Sequence, residues 1–283
     1  MSKCYRAELV GAFGCPIDEN PTGVLEEAGF REMGLNYRYL TIKVDDGDLK
    51  EAMAAVRAFH MKGINLTIPH KVKVLEYLDE LSPAAVIIGA VNTVINRDGR
   101  LFGENTDGKG FIKSLSDNGV SCRDRVITIL GAGGAARAIA VECALNDAAH
   151  INIINRREDR GFELAQLIEA KTPASSAYLN WTPDISVPAD TDILINATNI
   201  GLYPHSEDAP PINYDSVTDS MVVSDVVFNP PDTPFLLKAR DKGAKTITGL
   251  GMLVNQGALN FALWTGVEAP YQIMYEALKA EFE

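Results

Sequence analysis

The sequence predicts an α/β fold in two domains. Three observations predict it. At 283 residues the chain exceeds one typical domain. Strand-like and helix-like stretches alternate along almost its whole length, a rhythm that calls for mostly parallel, doubly wound sheets. And Val126 to Arg157 reads as a complete βαβ unit: an apolar strand Val126–Leu130, a turn Gly131-Ala132-Gly133-Gly134-Ala135-Ala136, an Ala-rich helical run to Ala148, and a second strand Ile151–Ile154 ending at Asn155-Arg156-Arg157.

In chain order, residues 7–14 form a short strand before a turn-rich segment, 18–23. Val24–Met33 is helical and stops at Gly34. Tyr37–Val44 alternates and is rich in β-formers, hence a strand. Asp48-Leu49 opens an amphipathic helix through Ala52, Val56 and Phe59. Ile64–Ile68 is a strand stopped by Pro69, Lys71–Leu81 a helix, and Ser82-Pro83 the capped start of another. Strands 91–96 and 100–105 flank Arg97-Asp98-Gly99, a hairpin signal. The junction falls at Asn105–Gly108, giving domains of 1–105 plus 248–283 and of 106–247. A helix over Gly110–Ser116 leads into the βαβ unit. Helix Glu163–Ala170, strands Asp192–Asn196 and Met221–Val227, a Pro-rich loop over 203–213, helix Pro234–Lys242, strand Lys245–Thr248, and helices Met252–Trp264 and Tyr271–Phe282 complete the chain.

The composition is that of an ordinary globular protein, 46% hydrophobic and 23% charged. A net charge of −12 argues against nucleic acid or an anionic membrane as partner. Cys4, Cys15, Cys122 and Cys143 lack metal-binding spacing and read as reduced thiols, and His60, His70, His150 and His205 form no HExxH pattern, so no catalytic metal is expected. No signal peptide or apolar run of about 18 residues is present, so a cytoplasmic location is expected.

The glycine turn matches G-x-G-x-x-[GA]. Gly131 permits the tight turn, Gly133 and Gly134 let backbone approach a pyrophosphate, and small Ala135 and Ala136 let the helix pack closely on the strand. The helix start aims free N–H groups and a positive dipole at the phosphates. Where NAD enzymes usually place an acid for the ribose 2′-hydroxyl, this chain has Asn155, followed by Arg156 and Arg157, which suit a 2′-phosphate. Glu158 and Asp159 oppose it. NADP is therefore expected, with NAD use alongside.

Several strands end in polar residues, where ligands sit in open α/β sheets: Asn65-Leu66-Thr67-Ile68-Pro69-His70-Lys71, Gly89-Ala90-Val91-Asn92-Thr93, Asn105-Thr106-Asp107-Gly108, Asn196-Ala197-Thr198, and Gly249 through Met252 and Gln256 to Gly257. Together with the glycine turn and the D-x-V-[YF]-x-P segment at Asp225, these resemble the shikimate dehydrogenase family, quinate/shikimate paralogues included, over nearly the whole chain. The resemblance implies an N-terminal substrate domain, a Rossmann domain, last helices packing back on the first domain, and reversible NAD(P)-dependent oxidation of a ring hydroxyl on shikimate, quinate or a related cyclohexane carboxylate. It implies Lys71 and Asp107 as the catalytic pair, with Thr67, Asn92 and Gln256 bonding a polyhydroxylated ring, and Thr198, Gly249 and Met252 beside the cofactor. A lysine in a cleft can stabilise charge developing on oxygen or, with a depressed pKa, accept its proton. A monomer or homodimer is expected. The contrasting reading is a non-catalytic dinucleotide-binding regulator, against which Lys71 and Asp107 stand.

Two segments depart from that family's pattern. Its G-x-P-[IV]-x-H-S-x-S-P, whose serines hold the substrate carboxylate, becomes Gly14-Cys15-Pro16-Ile17-Asp18-Glu19-Asn20-Pro21-Thr22-Gly23. Asn20 and Thr22 replace the serines, and Asp18 and Glu19 bring negative charge. Phe228 stands where Tyr is usual. The expectation is retained chemistry with an altered carboxylate site.

Overall fold

The structure, a computed structural model, describes residues 5–282. It divides into two compact units: the chain up to Thr106 together with Val254–Glu281, and Asp107–Leu253 together with Phe282.

The first unit is built on β1 (Glu8–Gly14), α1 (Thr22–Glu32), β2 (Tyr37–Lys43), α2 (Leu49–Ala58), β3 (Gly63–Leu66), α3 (His70–Lys73), β4 (Glu80–Leu81), α4 (Pro83–Ile88), β5 (Thr93–Arg97) and β6 (Arg100–Glu104). They make one six-stranded sheet, order β2-β1-β3-β5-β6-β4. It is mixed rather than wholly parallel: β5 runs antiparallel to β3 and β6, as the Asp98-Gly99 hairpin requires. A core of Phe13, Leu49, Met53, Val56, Ile64, Leu66, Val74 and Val94 lies against it. Ser82 caps α4, its hydroxyl accepting from the Ala85 N–H at 3.2 Å.

The expected helix over Lys71–Leu81 is not formed. The chain makes only the four-residue α3, a 3₁₀ turn at Val74–Tyr77, and then the edge strand β4. Asp79 explains the break. Its carboxylate accepts from the Leu101 N–H at 2.7 Å and from Arg57 at 3.0 Å, while its own N–H bonds the Leu101 carbonyl at 2.9 Å, drawing the chain onto β6.

The second unit runs α5 (Thr106–Asp117), β7 (Val126–Leu130), α6 (Gly134–Leu145), β8 (His150–Asn155), α7 (Glu158–Lys171), β9 (Ser175–Asn180), β10 (Ile185–Ser186), β11 (Ile193–Asn196), β12 (Ile212–Asn213), β13 (Val222–Asp225), α8 (Pro234–Asp241) and β14 (Lys245–Ile247); α9 (Gly249–Thr265) and α10 (Tyr271–Lys279) follow. Its sheet is wholly parallel, ordered β14-β13-β11-β7-β8-β9, the Rossmann order read from the β9 edge. Strand β9 is absent from the sequence reading because Ser175-Ser176-Ala177-Tyr178 is a half-exposed edge with no apolar alternation. Helix α7 begins five residues before the expected Glu163, at Glu158. The Pro-rich loop hides β12, which pairs with β10.

Cys15, Cys122 and Cys143 are free thiols, and Cys4 lies outside the described residues. Among the described residues no helix is long and apolar enough to cross a membrane, and no group of three or more His, Cys, Asp or Glu could hold a metal.

Candidate active site

In the second unit the glycine turn sits where the strand order reverses, between β7 and β11. The Gly131 N–H bonds the Ile154 carbonyl at 2.8 Å and the Ala197 N–H bonds that of Leu130 at 2.9 Å. Gly131 has φ of +108°, and a Cβ there would meet the Thr198 methyl at 2.9 Å, so both conformation and space demand glycine. A Cβ on Gly133 or Gly134 would meet nothing within 4 Å: the turn opens outward. Gly133 is extended at the N-cap of α6 with no side-chain cap bond, so the helix's first N–H groups stay available to an external anion. Ala136 is wholly buried beneath them and Ala135 half-buried. These features fit a dinucleotide pyrophosphate.

At the end of β8, the Asn155 amide donates to the Arg157 carbonyl at 2.7 Å. The two arginines part company here. Arg157 grips Asp159 through Nε (3.2 Å) and Nη2 (2.6 Å), holding that carboxyl below the usual carboxylate range by hydrogen bond and charge. Arg156 is exposed and has no ion-pair partner among the described residues.

Beyond β11 and β13 a buried polar knot holds the loops. Thr198 donates to Asn196 Oδ1 at 2.7 Å, and Asn196 Nδ2 donates to Asp225 Oδ1 at 2.9 Å. Asp225 also accepts from the Val227 N–H at 2.9 Å and from Thr233 at 2.7 Å. Desolvation pushes the Asp225 carboxyl up to about 6 despite these donors. The knot sets the 226–233 loop, against which Gly249 starts α9; a Cβ there would overlap the Val227 carbonyl. Met252 lies a turn further along α9, half-buried. Phe228, on that loop, tilts against Phe282 at 5.5 Å between ring centroids.

In the first unit Lys71 stands on α3, which its neighbours pin. His70 is wholly buried with Nε2 2.7 Å from the Val44 carbonyl, and Lys73 Nζ donates to the Asp46 carbonyl at 2.8 Å. The Lys71 carbonyl accepts from the Val91 N–H at 2.8 Å, tying α3 to the segment carrying Asn92. Thr67 directly follows β3, its N–H bonded to the Phe13 carbonyl at 3.0 Å.

Asn92 is buried: its Oδ1 accepts from the Thr106 N–H at 2.7 Å and its Nδ2 donates to Thr106 Oγ1 at 2.9 Å. Asn260 Oδ1 gathers Thr93 (2.8 Å) and Thr106 (2.9 Å), and Asn260 Nδ2 donates to Gln256 Oε1 at 3.0 Å. The network continues through Asn65, whose Nδ2 donates to Thr93 Oγ1 at 3.1 Å, to Tyr39, whose hydroxyl donates to Asn65 Oδ1 at 2.9 Å. Thr22 is buried at the start of α1. Asn20 Oδ1 accepts from the Thr22 N–H at 2.9 Å. Asp18 and Glu19 are exposed.

So Asn92 and Gln256 share one hydrogen-bonded wall, which Lys71 joins through its backbone, while Asn20 and Thr22 are bonded to each other. Asp107 is the second residue of α5, directly after Thr106, and belongs with Phe228 and the cofactor-side residues to the other unit. Sequence reasoning missed Tyr39, Thr93, Asn260 and the role of Asp225. Their only signal is a polar residue inside an apolar element.

Residues 12–94 match the shikimate dehydrogenase substrate binding domain, and residues 249–279 the shikimate 5′-dehydrogenase C-terminal domain. The shikimate dehydrogenase (NADP(+)) of Desulforamulus reducens is 38% identical over 276 residues, covering 96% of this chain and 95% of the relative. The chain belongs to the shikimate dehydrogenase family. It is therefore an oxidoreductase acting on a CH–OH group. Solved structures are similar as well. The 5-ketofructose reductase of Gluconobacter sp. strain CHM43 has a TM-score of 0.95 at 45% identity, covering 99% of this chain and 100% of that one. The shikimate 5-dehydrogenase of Listeria monocytogenes, in complex with shikimate and NAD, has a TM-score of 0.90 at 33% identity, covering 98% of each.

Proposed function

We propose that this protein is an NADP-preferring reductase that interconverts a ketone and a secondary alcohol on an uncharged polyhydroxylated substrate of the 5-keto-sugar class. The carrying observation is the wall at Asn20 and Thr22. A carboxylate accepts hydrogen bonds and offers none, so it needs donors. Here one of the two expected hydroxyl donors is replaced by Asn20, whose Oδ1 is committed to the Thr22 N–H, and Thr22 itself is only 6% exposed. A carboxylate short of a donor loses about 1–3 kcal/mol per missing bond. An uncharged hydroxyl both donates and accepts, and suffers no such loss. The 45% identical relative that reduces 5-ketofructose supports this reading.

Bound NADPH supplies a hydride to the carbonyl carbon. The chain's own work is to place the substrate and manage the proton. Lys71 hydrogen-bonds the carbonyl oxygen, stabilises the charge that develops there, and passes it a proton; Asp107 accepts a hydrogen bond from a substrate hydroxyl. Thr67, Asn92 and Gln256 orient the remaining hydroxyls. Arg156 meets the ribose 2′-phosphate.

Curated relatives named shikimate dehydrogenase support the second reading, a ring carboxylate as substrate. Initial rates of NADPH and NADH oxidation with 5-ketofructose, 3-dehydroshikimate and 3-dehydroquinate separate the two. The expected result is kcat/KM for 5-ketofructose at least about tenfold above either acid, the worth of one lost donor. A preference for an acid would refute the uncharged-substrate reading.

A further inference from the structure

Asn260 is an amide at a point where α9 has no structural need of one. It is wholly buried, in the apolar run Ala258-Leu259-Asn260-Phe261-Ala262. Asn is a poorer helix former than Leu, and a buried amide costs free energy unless its bonds are made. Here they are made, and all run to groups around the substrate wall. Asn260 Oδ1 accepts from Thr93 at 2.8 Å and from Thr106 at 2.9 Å, the shortest contact open to the hydrogen of each hydroxyl. Asn260 Nδ2 donates to Gln256 Oε1 at 3.0 Å. Helical side chains lean toward the N-terminus, so Asn260 reaches back to the residue one turn before it.

The bonds behind Asn260 agree with that direction. The Thr106 backbone N–H can only donate, so Asn92 turns its oxygen to it at 2.7 Å and donates through Nδ2 to Thr106 Oγ1 at 2.9 Å. The Asn92 carbonyl can only accept, so Asn65 Nδ2 faces it at 3.2 Å and donates also to Thr93 Oγ1 at 3.1 Å. Both hydroxyls thus receive a hydrogen from one side and send their own to Asn260 Oδ1, which leaves the Asn260 nitrogen facing Gln256. A glutamine amide has a broad terminal torsion and can present either end. The N–H from Asn260 draws its oxygen inward. Gln256 Nε2 bonds no described residue, and Gln256 is 7% exposed, so the amide hydrogens are the end left for a ligand.

We propose that Asn260 is a positioning residue that decides which end of the Gln256 amide the substrate meets: it holds the Gln256 oxygen inward and turns the amide hydrogens outward, so that this position reads an acceptor oxygen of the substrate. The inference rests on the proposed role of Gln256 in binding the substrate. Asn260 itself, wholly buried, touches no substrate.

A double-mutant cycle tests it, run with whichever of 5-ketofructose, 3-dehydroshikimate and 3-dehydroquinate the unmodified protein reduces best. Asn260→Leu should raise KM by about tenfold, the worth of one misdirected hydrogen bond, and leave kcat within about twofold. Gln256→Met, which fills similar space with no amide to direct, should raise KM by at least as much. In the Gln256→Met background Asn260→Leu should add nothing, because Asn260 then has nothing to act through. A merely structural role for Asn260 would make the two losses multiply, to about a hundredfold, or would lower kcat and leave KM unmoved; either result overturns the proposal. If the unmodified protein reduces none of the three ketones, the substrate reading fails separately, and side-chain 15N labelling of glutamine reads the positioning without turnover. The Gln256 NH2 pair, assigned by its loss in Gln256→Met, should be rigid by heteronuclear NOE in the unmodified protein and mobile in Asn260→Leu; equal rigidity in both overturns the proposal. Should Asn260→Leu not fold, Asn260→Ala, which removes the bond without adding bulk, takes its place in both measurements.

Discussion

Asp225 should make the folded protein less stable as the pH rises, and Asp225→Asn should remove that loss. The carboxyl is 1% exposed, and desolvation raises it from about 3.9 to about 6, which corresponds to ~3 kcal/mol between its two protonation states. The sign follows from proton binding. Between these two values the folded chain holds a proton that the unfolded chain has released, so stability is fully present below pH ~4, falls as the pH climbs, and levels off above pH ~6. Integrated over the interval, the loss from this group between pH 5 and pH 8 is about 1.4 kcal/mol, a tenfold change in the folding equilibrium. Asn at 225 keeps an oxygen for the Asn196 amide and the Val227 N–H, and gives up the bond from Thr233. That last loss is the same at every pH and cancels from the slope.

Urea unfolding of both proteins at half-unit steps from pH 5 to pH 8, followed by circular dichroism and by fluorescence of the buried Trp181 in the same unit, measures the difference. The stability of the unmodified protein should fall by about 1.4 kcal/mol more than that of the variant across this range. Parallel profiles would show that the carboxyl titrates at its ordinary value and that the donors around it outweigh its burial.

Lys71→Ala should lower turnover at least ~100-fold while cofactor affinity stays within about twofold; near-normal turnover would remove Lys71 from the chemistry. Arg156→Ala should raise the NADPH KM by roughly tenfold and leave that for NADH almost unmoved, because only NADPH carries the 2′-phosphate. Arg157→Ala should weaken NADPH through the unmasked Asp159, so that adding Asp159→Ala restores it; no restoration would mean that Arg157 touches the phosphate itself. Asn20→Ser with Thr22→Ser should raise kcat/KM for 3-dehydroshikimate by about tenfold, the worth of one restored donor; an unchanged value would mean these two positions do not set the choice.

The parts of the fold legible in the sequence are those set by local chemistry. The βαβ unit could be read because three periodicities meet there: apolar strand, glycine turn, Ala-rich helix. The hairpin was legible from Asp98-Gly99, and the capped start of α4 from Ser82-Pro83. What stayed hidden depends on contacts between distant residues. Val74, Leu75 and Leu78 have helical spacing, yet Asp79 is captured by Leu101 and Arg57, and no local signal announces a partner 22 residues away. The edge strand β9 lacks a pattern because neither face is fully buried.

The same division runs through the candidate site. Residue types at strand ends point to Lys71, Asn92 and Gln256, and the glycine turn points to the cofactor. The replacement at Asn20 and Thr22 is equally visible in the sequence, and by itself suggests a weakened anion site with one hydroxyl left. Asp18 and Glu19, whose charges suggested repulsion of an anion, are exposed and lie in the loop before α1. The network behind the site is the hidden part: Asn92, Thr93, Thr106, Asn260 and Gln256 sit on separate segments, each an isolated polar residue in sequence, and only the fold brings them into one set of hydrogen bonds.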